Sequence, residues 1–268
     1  MRKFIIYNLI AILIFTISSC KKNYTYNDET MYQIATVPSL MIGNYNSYIT
    51  VETLRKMGDI GLGTFENIDG EMIILNDTIY QARYDGTVNI ADNKMGVPFA
   101  TITHFNCDIQ LNTDSIHNLN QLTTFLTGIV KENGENLIYV AKINIPDCDS
   151  LTVRSEMPQQ KPYKPLAEVM KTAQREFSYS QQSGIIVAVY FPPFYSNLNV
   201  PGWHFHFISN DRKKGGHLFS MVCNSKLHIE LDATPYFNMY MPEDSSFVNA
   251  TLENDMSDNV KKIEKANK

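Results

Sequence analysis

Residues 202–217 read Gly-Trp-His-Phe-His-Phe-Ile-Ser-Asn-Asp-Arg-Lys-Lys-Gly-Gly-His, and the spacing of the three histidines decides how the surrounding chain folds. Side chains of a β-strand alternate between its two faces, so residues i and i+2 point the same way. A strand through this segment therefore sets His204 and His206 on one face and Trp203, Phe205 and Phe207 on the other. Asn210 to Gly216 has the composition of a polar hairpin turn. The chain then doubles back over about residues 203–221 and returns His217 beside the first pair. Three neutral imidazoles converging from two strands suit zinc and leave a coordination position open, as catalytic zinc sites do.

Outward from this hairpin, the chain is punctuated for short strands. Ile60–Phe65, Glu71–Leu75 and Thr78–Tyr84 are apolar runs separated by Asn-Ile-Asp-Gly and Asn-Asp and closed by Asp85-Gly86, the pattern of an antiparallel meander. Pro98–Phe105, Leu137–Ile145, Gly184–Phe191 and Leu227–Leu231 are further strands, and Leu151–Arg154 continues the sheet. Helices are expected at Thr50–Met57, with Thr50 or Thr53 as cap, and at Asp114–Lys131, Leu166–Arg175 and from Asp255 onward. A Pro-rich crossing, Gln159-Gln-Lys-Pro-Tyr-Lys-Pro165, reads as a junction. The expected class is α+β with two β-rich lobes. A mixed or antiparallel sheet with helices occupies residues 37–155, and a second sheet or barrel-like lobe carries the metal hairpin over 156–268.

With 268 residues the chain can bury a sizeable core. Its formal charge of −5, with no basic stripe, argues against nucleic acid as a partner. The first residues stand apart. Arg2 and Lys3 precede an apolar run from Phe4 to Ile17 that is too short for a comfortable membrane span and fits a signal segment. Ile17-Ser-Ser-Cys20 looks like a bacterial lipoprotein cleavage site. Residues 1–19 are expected to be removed, leaving a lipid on Cys20 that anchors an exported chain to a membrane on its periplasmic or cell-surface side, with residues 20–36 as a tether. Arg2 and Lys3 leave with that segment and no acidic residue does, so the remaining chain carries −7. Cys107, Cys148 and Cys223 remain, an odd number and so no disulfide framework, with at most one pair able to form in an oxidising compartment; they lack paired metal-ligand spacing and read as core or incidental residues.

Two further residues draw notice. Glu71 starts a strand straight after the Asp69-Gly70 turn, which suits a carboxylate reaching into a pocket, although an exposed hairpin charge has the same signature. Arg154 lies in a mostly uncharged stretch. Its planar fork suits a substrate carboxylate, although a structural arginine would look the same. His-Glu-x-x-His, the helical hydrolase motif, is absent.

Taken in order, Gly58-Asp-Ile-Gly-Leu-Gly-Thr-Phe-Glu-Asn-Ile-Asp-Gly-Glu71, Asp85-Gly86, Pro98-Phe-Ala-Thr-Ile-Thr103, Arg154-Ser155 with Lys161-Pro-Tyr-Lys-Pro-Leu166, Val200-Pro-Gly-Trp-His-Phe-His-Phe207 and Gly215-Gly-His217 resemble the α-acetolactate decarboxylases. The resemblance covers residues 47–264. Each match is short; their conjunction and order are specific. Trp203 stands where a tyrosine is expected before the first histidine, and Lys265 where a glycine is expected after the last glutamate.

The resemblance implies a zinc enzyme, another divalent metal being an option, that converts (S)-2-acetolactate, a 2-hydroxy-3-keto acid, into (R)-acetoin and carbon dioxide. It implies metal ligation by His204, His206 and His217, catalytic roles for Glu71 and Arg154, a further active-site carboxylate at Glu264 with Glu253 as fallback, and a homodimer. In that chemistry the metal stabilises an enediolate, the arginine holds the departing carboxylate and a glutamate returns a proton. Two other classes stay open on the residues alone: a different zinc enzyme, a hydrolase or isomerase, and a non-catalytic metal-binding lipoprotein. Glu71 and Arg154 discriminate, since a pure metal binder needs neither.

Overall fold

The structure is a computed structural model that describes residues 29–113 and 116–252. Its strands, in chain order, are β1 (Thr30–Ile34), β2 (Ile49–Thr50), β3 (Ile60–Thr64), β4 (Glu71–Leu75), β5 (Thr78–Ala82), β6 (Val88–Ile90), β7 (Gly96–Val97), β8 (Phe99–Thr103) and β9 (Ile109–Thr113). They continue as β10 (Ile138–Glu156), β11 (Gln174–Phe191), β12 (Gly202–Ser209), β13 (Gly215–Val222), β14 (Leu227–Thr234) and β15 (Tyr236–Tyr240). The helices are α1 (Val37–Met41), α2 (Val51–Leu54), α3 (Leu119–Asn133), α4 (Leu166–Thr172) and α5 (Ser245–Val248). The α+β class expected from the sequence is the one observed. Among the described residues no helix is long and apolar enough to cross a membrane.

Seven strands form one sheet in the order β15-β1-β8-β3-β4-β5-β6, and β2 pairs with β7 beside it. Six form the other, β11-β12-β13-β10-β14-β9. In the second sheet the pairings β10–β11, β11–β12, β12–β13 and β13–β10 close into a small ring, the barrel-like element expected around the metal hairpin. The two sheets pack face to face. Met31, Leu62 and Ile73 of the first meet Val140, Val187 and Ile208 of the second, all fully or almost fully buried. Each such side chain contributes about 1.5–3 kcal/mol relative to exposure. The far face of the six-stranded sheet is covered by α3, which buries Leu122, Leu126 and Val130 at i, i+4, i+8 spacing.

Several boundaries differ from the sequence reading. The tether expected over residues 20–36 is already strand at Thr30–Ile34, buried between β15 and β8. Its polar look comes from Gln33, whose amide is satisfied internally by the carbonyls of Ala35 and Leu198. The sheets do not divide near residue 155. β10 runs without a break from Ile138 to Glu156, and the six-stranded sheet draws β9 and β10 from before that position, while β15 returns to the first sheet. The strand passes Pro146 through a shift of register between Ile145 and Cys148, so the proline marks a bulge rather than an end. β11 is longer than the expected 184–191, starting at Gln174, and it ends α4 at Thr172 rather than at Arg175.

The helix expected from Asp114 starts at Leu119, where the Asn118 side chain accepts the Gln121 N–H. Thr50 caps α2, as one of the two expected threonines. Cys148 and Cys223 are buried and Cys107 is half-buried, all three as thiols. The signal segment at 1–19, Cys20, the expected final helix, Glu253 and Glu264 lie outside the described residues.

Candidate active site

The histidine hairpin forms much as its spacing demands. β12 and β13 flank the turn Asn210–Lys214, with Gly215 and Gly216 already inside β13. His206 stands directly across from His217 in the β12–β13 ladder. Phe205 and Phe207 turn to the other face and join the core beneath α3. Gly216 is required here: its φ is +145°, and a Cβ would lie 2.3 Å from the carbonyl oxygen of Arg154 on β10. That close approach sets Arg154 opposite His217 in the ladder.

Three ring nitrogens converge. His204 Nε2 lies 2.9 Å from His217 Nδ1 and 3.2 Å from His206 Nε2. His206 and His217 are 1% and 2% exposed. The other nitrogen of His206, Nδ1, lies 2.8 Å from the carbonyl oxygen of Met72 on β4. A carbonyl can only accept, so Nδ1 carries the proton and Nε2 keeps its lone pair, the outer hydrogen bond that commonly orients a metal-binding histidine. Burial, and then the Arg154 charge, push the His204 pKa down from 6.5 to about 3. Burial and the neighbouring His204 hold His206 well below its ordinary value. Neutral imidazoles are what a metal site needs. The donor set therefore fits a divalent transition metal bound through three nitrogens.

Glu71 comes from the other sheet. Gly70, with φ +82° and no room for a Cβ 2.3 Å from the Ala82 carbonyl oxygen, makes the tight turn that delivers it. Glu71 is 7% exposed, with Oε2 3.4 Å from His206 Nε2 and Oε1 3.7 Å from Arg154 Nε. Arg154 is 3% exposed; its guanidinium lies over the Phe219 ring at 4.9 Å, and Nη1 donates to Gln174 Oε1 at 3.5 Å. The structure thus brings together five of the six site residues expected from the sequence.

One group was missed. Glu156 is 2% exposed, and its Oε1 lies 3.2 Å from Arg154 Nε. The alternation that pairs His204 with His206 also pairs Arg154 with Glu156, two apart on a strand, and would have found it.

Glu71, Arg154, Glu156, His204 and His206 share one cleft of about 550 Å³, counting its open mouth. Its remaining wall is apolar, formed by α1, α4, Phe99 and Val200. A polar end with convergent charged groups under an apolar wall is the usual form of a small-molecule site. It can polarise a bound carbonyl or hydroxyl at the metal end and orient a small anion at the guanidinium.

The comparisons with known proteins agree with that geometry. The family described as alpha-acetolactate decarboxylase matches residues 31–254. An alpha-acetolactate decarboxylase from Methanosarcina mazei is 33% identical over 237 residues, covering 88% of this chain and 81% of that one. Another from Methylococcus capsulatus is 31% identical over 240 residues, covering 89% and 90%. The crystal structure of alpha-acetolactate decarboxylase from Bacillus subtilis strain 168 superposes with a TM-score of 0.84 at 29% identity, covering 88% of this chain and 100% of that one. Fold, cleft and the extent of these matches lead to one assignment: the chain belongs to the alpha-acetolactate decarboxylase family.

Proposed function

We propose that this chain decarboxylates (S)-2-acetolactate to (R)-acetoin, with zinc held by His204, His206 and His217. The observation that carries the reading is the convergence of three imidazoles, those of His204, His206 and His217, beside Glu71 and Arg154, with the side chains drawn from two different sheets. A divalent cation bound there supplies Lewis-acid stabilisation of the negative charge that loss of carbon dioxide leaves on the substrate oxygens. Arg154 binds the substrate carboxylate through its fork and fixes the bond to be broken. Glu71 lies against both His206 and Arg154, between metal and anion ends, where a carboxyl group can hand a proton to one face of the substrate and set its configuration. The apolar wall keeps bulk water from competing for that proton.

The test is zinc content together with acetoin release from racemic acetolactate. Bound zinc without acetoin sinks the reading and leaves a different metal enzyme or a metal-binding protein. A pure metal binder has no use for a buried Arg154 and Glu71 beside its ligands, and that is the observation against it.

The export reading is also a proposal, supported by Arg2, Lys3, the apolar run and Ile17-Ser-Ser-Cys20. It has the chain anchored through a lipid on Cys20, on the periplasmic or cell-surface side of a bacterial membrane. Cys20→Ser should move the protein out of the membrane fraction; unchanged fractionation refutes the anchor. A homodimer is proposed from the family, with mass by light scattering as its check.

A further inference from the structure

Glu156 has no part in the site that the sequence resemblance implies, yet it occupies that site. It follows Arg154 by two residues on β10, so both side chains leave the same face of the strand. Both reach the cleft that holds Glu71, His204 and His206. Burying a carboxylate is costly, and an apolar side chain of similar volume is commonly the more stable choice for a wall. Val37, Met41, Phe99, Leu166 and Met170 make that choice around the same cleft. A buried glutamate among them calls for a compensating role.

The contacts around Arg154 bear on that role: it is the residue that Glu156 meets. Its guanidinium face rests on Phe219, and Nη1 reaches Gln174 only at 3.5 Å. Among the described residues, Nε is approached by two carboxylates, Glu156 at 3.2 Å and Glu71 at 3.7 Å. Glu156 is the nearer, and neither of its oxygens has a hydrogen-bond donor among the described residues, so the ion pair with Arg154 is its one charged protein contact there. Glu71, by contrast, divides its two oxygens between Arg154 and His206.

We propose that Glu156 is a positioning residue for substrate binding: it holds the Nε edge of Arg154, orients the guanidinium fork toward the cleft for a carboxylate, and relieves Glu71 of that task. The inference rests on the decarboxylase reading for its substrate. The positioning of Arg154 for a small 2-hydroxy acid anion does not depend on the reaction.

The experiment uses the full zinc-loaded chain, with E156Q and E156D. It measures zinc content, KM and kcat for acetoin release, and calorimetric binding of 2-hydroxy-2-methylbutanoate, which keeps the hydroxyl and carboxylate of the substrate and lacks its keto group. E156Q is expected to keep its zinc, to raise KM and weaken analogue binding about tenfold or more, and to change kcat less than about threefold. E156D, which restores the charge, should recover most of the lost affinity. A folded, zinc-loaded E156Q with unchanged KM and analogue affinity overturns the proposal. So does an E156Q that loses zinc or fails to fold while E156D does no better, because Glu156 is then structural. A wild-type chain that releases no acetoin but binds the analogue, with the E156Q deficit intact, defeats the reaction and leaves the positioning role standing.

Discussion

The two sheets contribute unequally to the cleft. The six-stranded sheet supplies the three histidines on β12 and β13, and Arg154 and Glu156 on β10. The seven-stranded sheet supplies one ionised-type side chain, Glu71, and one backbone group, the Met72 carbonyl that orients His206. Among the described residues of the site, one sheet thus holds the three imidazoles and the guanidinium. The other holds Glu71, the carboxyl group to which the proposed reaction assigns the proton. On the proposed reading binding and turnover are separable, and each sheet has a glycine that sets its share, Gly216 in one and Gly70 in the other.

The strongest attempt to break this division is His206→Ala, which removes a ligand and frees Met72 from its partner. Metal content by mass spectrometry and acetoin release should fall together, the latter by about a thousandfold or more; retained metal would show that the six-stranded sheet is not the metal-binding half. Next comes Glu71→Gln. Metal should stay and turnover should drop by roughly a hundredfold to ten-thousandfold. Acetoin release near wild type removes Glu71 from its role. Arg154→Lys keeps a charge and loses the fork, so KM should rise about tenfold with a smaller effect on kcat; a kcat collapse with unchanged KM would contradict anion binding there.

The glycines sharpen the comparison at lower amplitude. Gly216→Ala places a Cβ against the Arg154 carbonyl in a left-handed conformation and should cost about 1–3 kcal/mol, with loss of metal affinity. Gly70→Ala should cost a similar amount but spare the metal and reduce turnover, since it displaces only Glu71. Denaturant midpoints and zinc titrations of the two variants read this directly; equal metal loss in both would erase the distinction.

A separate effect is expected from pH in metal-stripped protein. His204 and His206 have folded pKa values below the ordinary 6.5, so the neutral form is the one the fold favours. The stability they carry is complete above 6.5 and declines as pH falls from there toward about 3, the folded value of His204. Urea midpoints between pH 7 and 5 should therefore decrease, and a flat profile contradicts the burial of neutral histidines.

Much of this was legible in the sequence, and the exceptions are instructive. His-x-His with a return at His217 specified face, hairpin and convergence, because alternation in a strand is rigid geometry. The Asp69-Gly70 turn before Glu71 was legible for the same reason. β10 was not read as one strand, because Pro146 usually ends one, and only the pairing partners on both sides show that the chain bulges and continues. β1 was hidden by Gln33 and Tyr32, whose polarity says exposure until their partners are known. Glu156 is hidden in the sequence because its burial depends on β10 running on past Arg154, which only its pairing partners reveal. The carboxylates expected at Glu264 or Glu253 lie outside the described residues.

The position of β1 has a mechanical consequence. β1 lies between β15, which it meets in parallel along all five residues, and β8, which it meets antiparallel. A force directed along β1 therefore loads the hydrogen bonds to both neighbours in shear and together, instead of peeling them one after another. The load passes into β15 and β8, whereas the histidines, Arg154 and Glu156 stand in the other sheet and Glu71 on a strand beyond β3. A pull along β1 thus leaves the site out of the line of force.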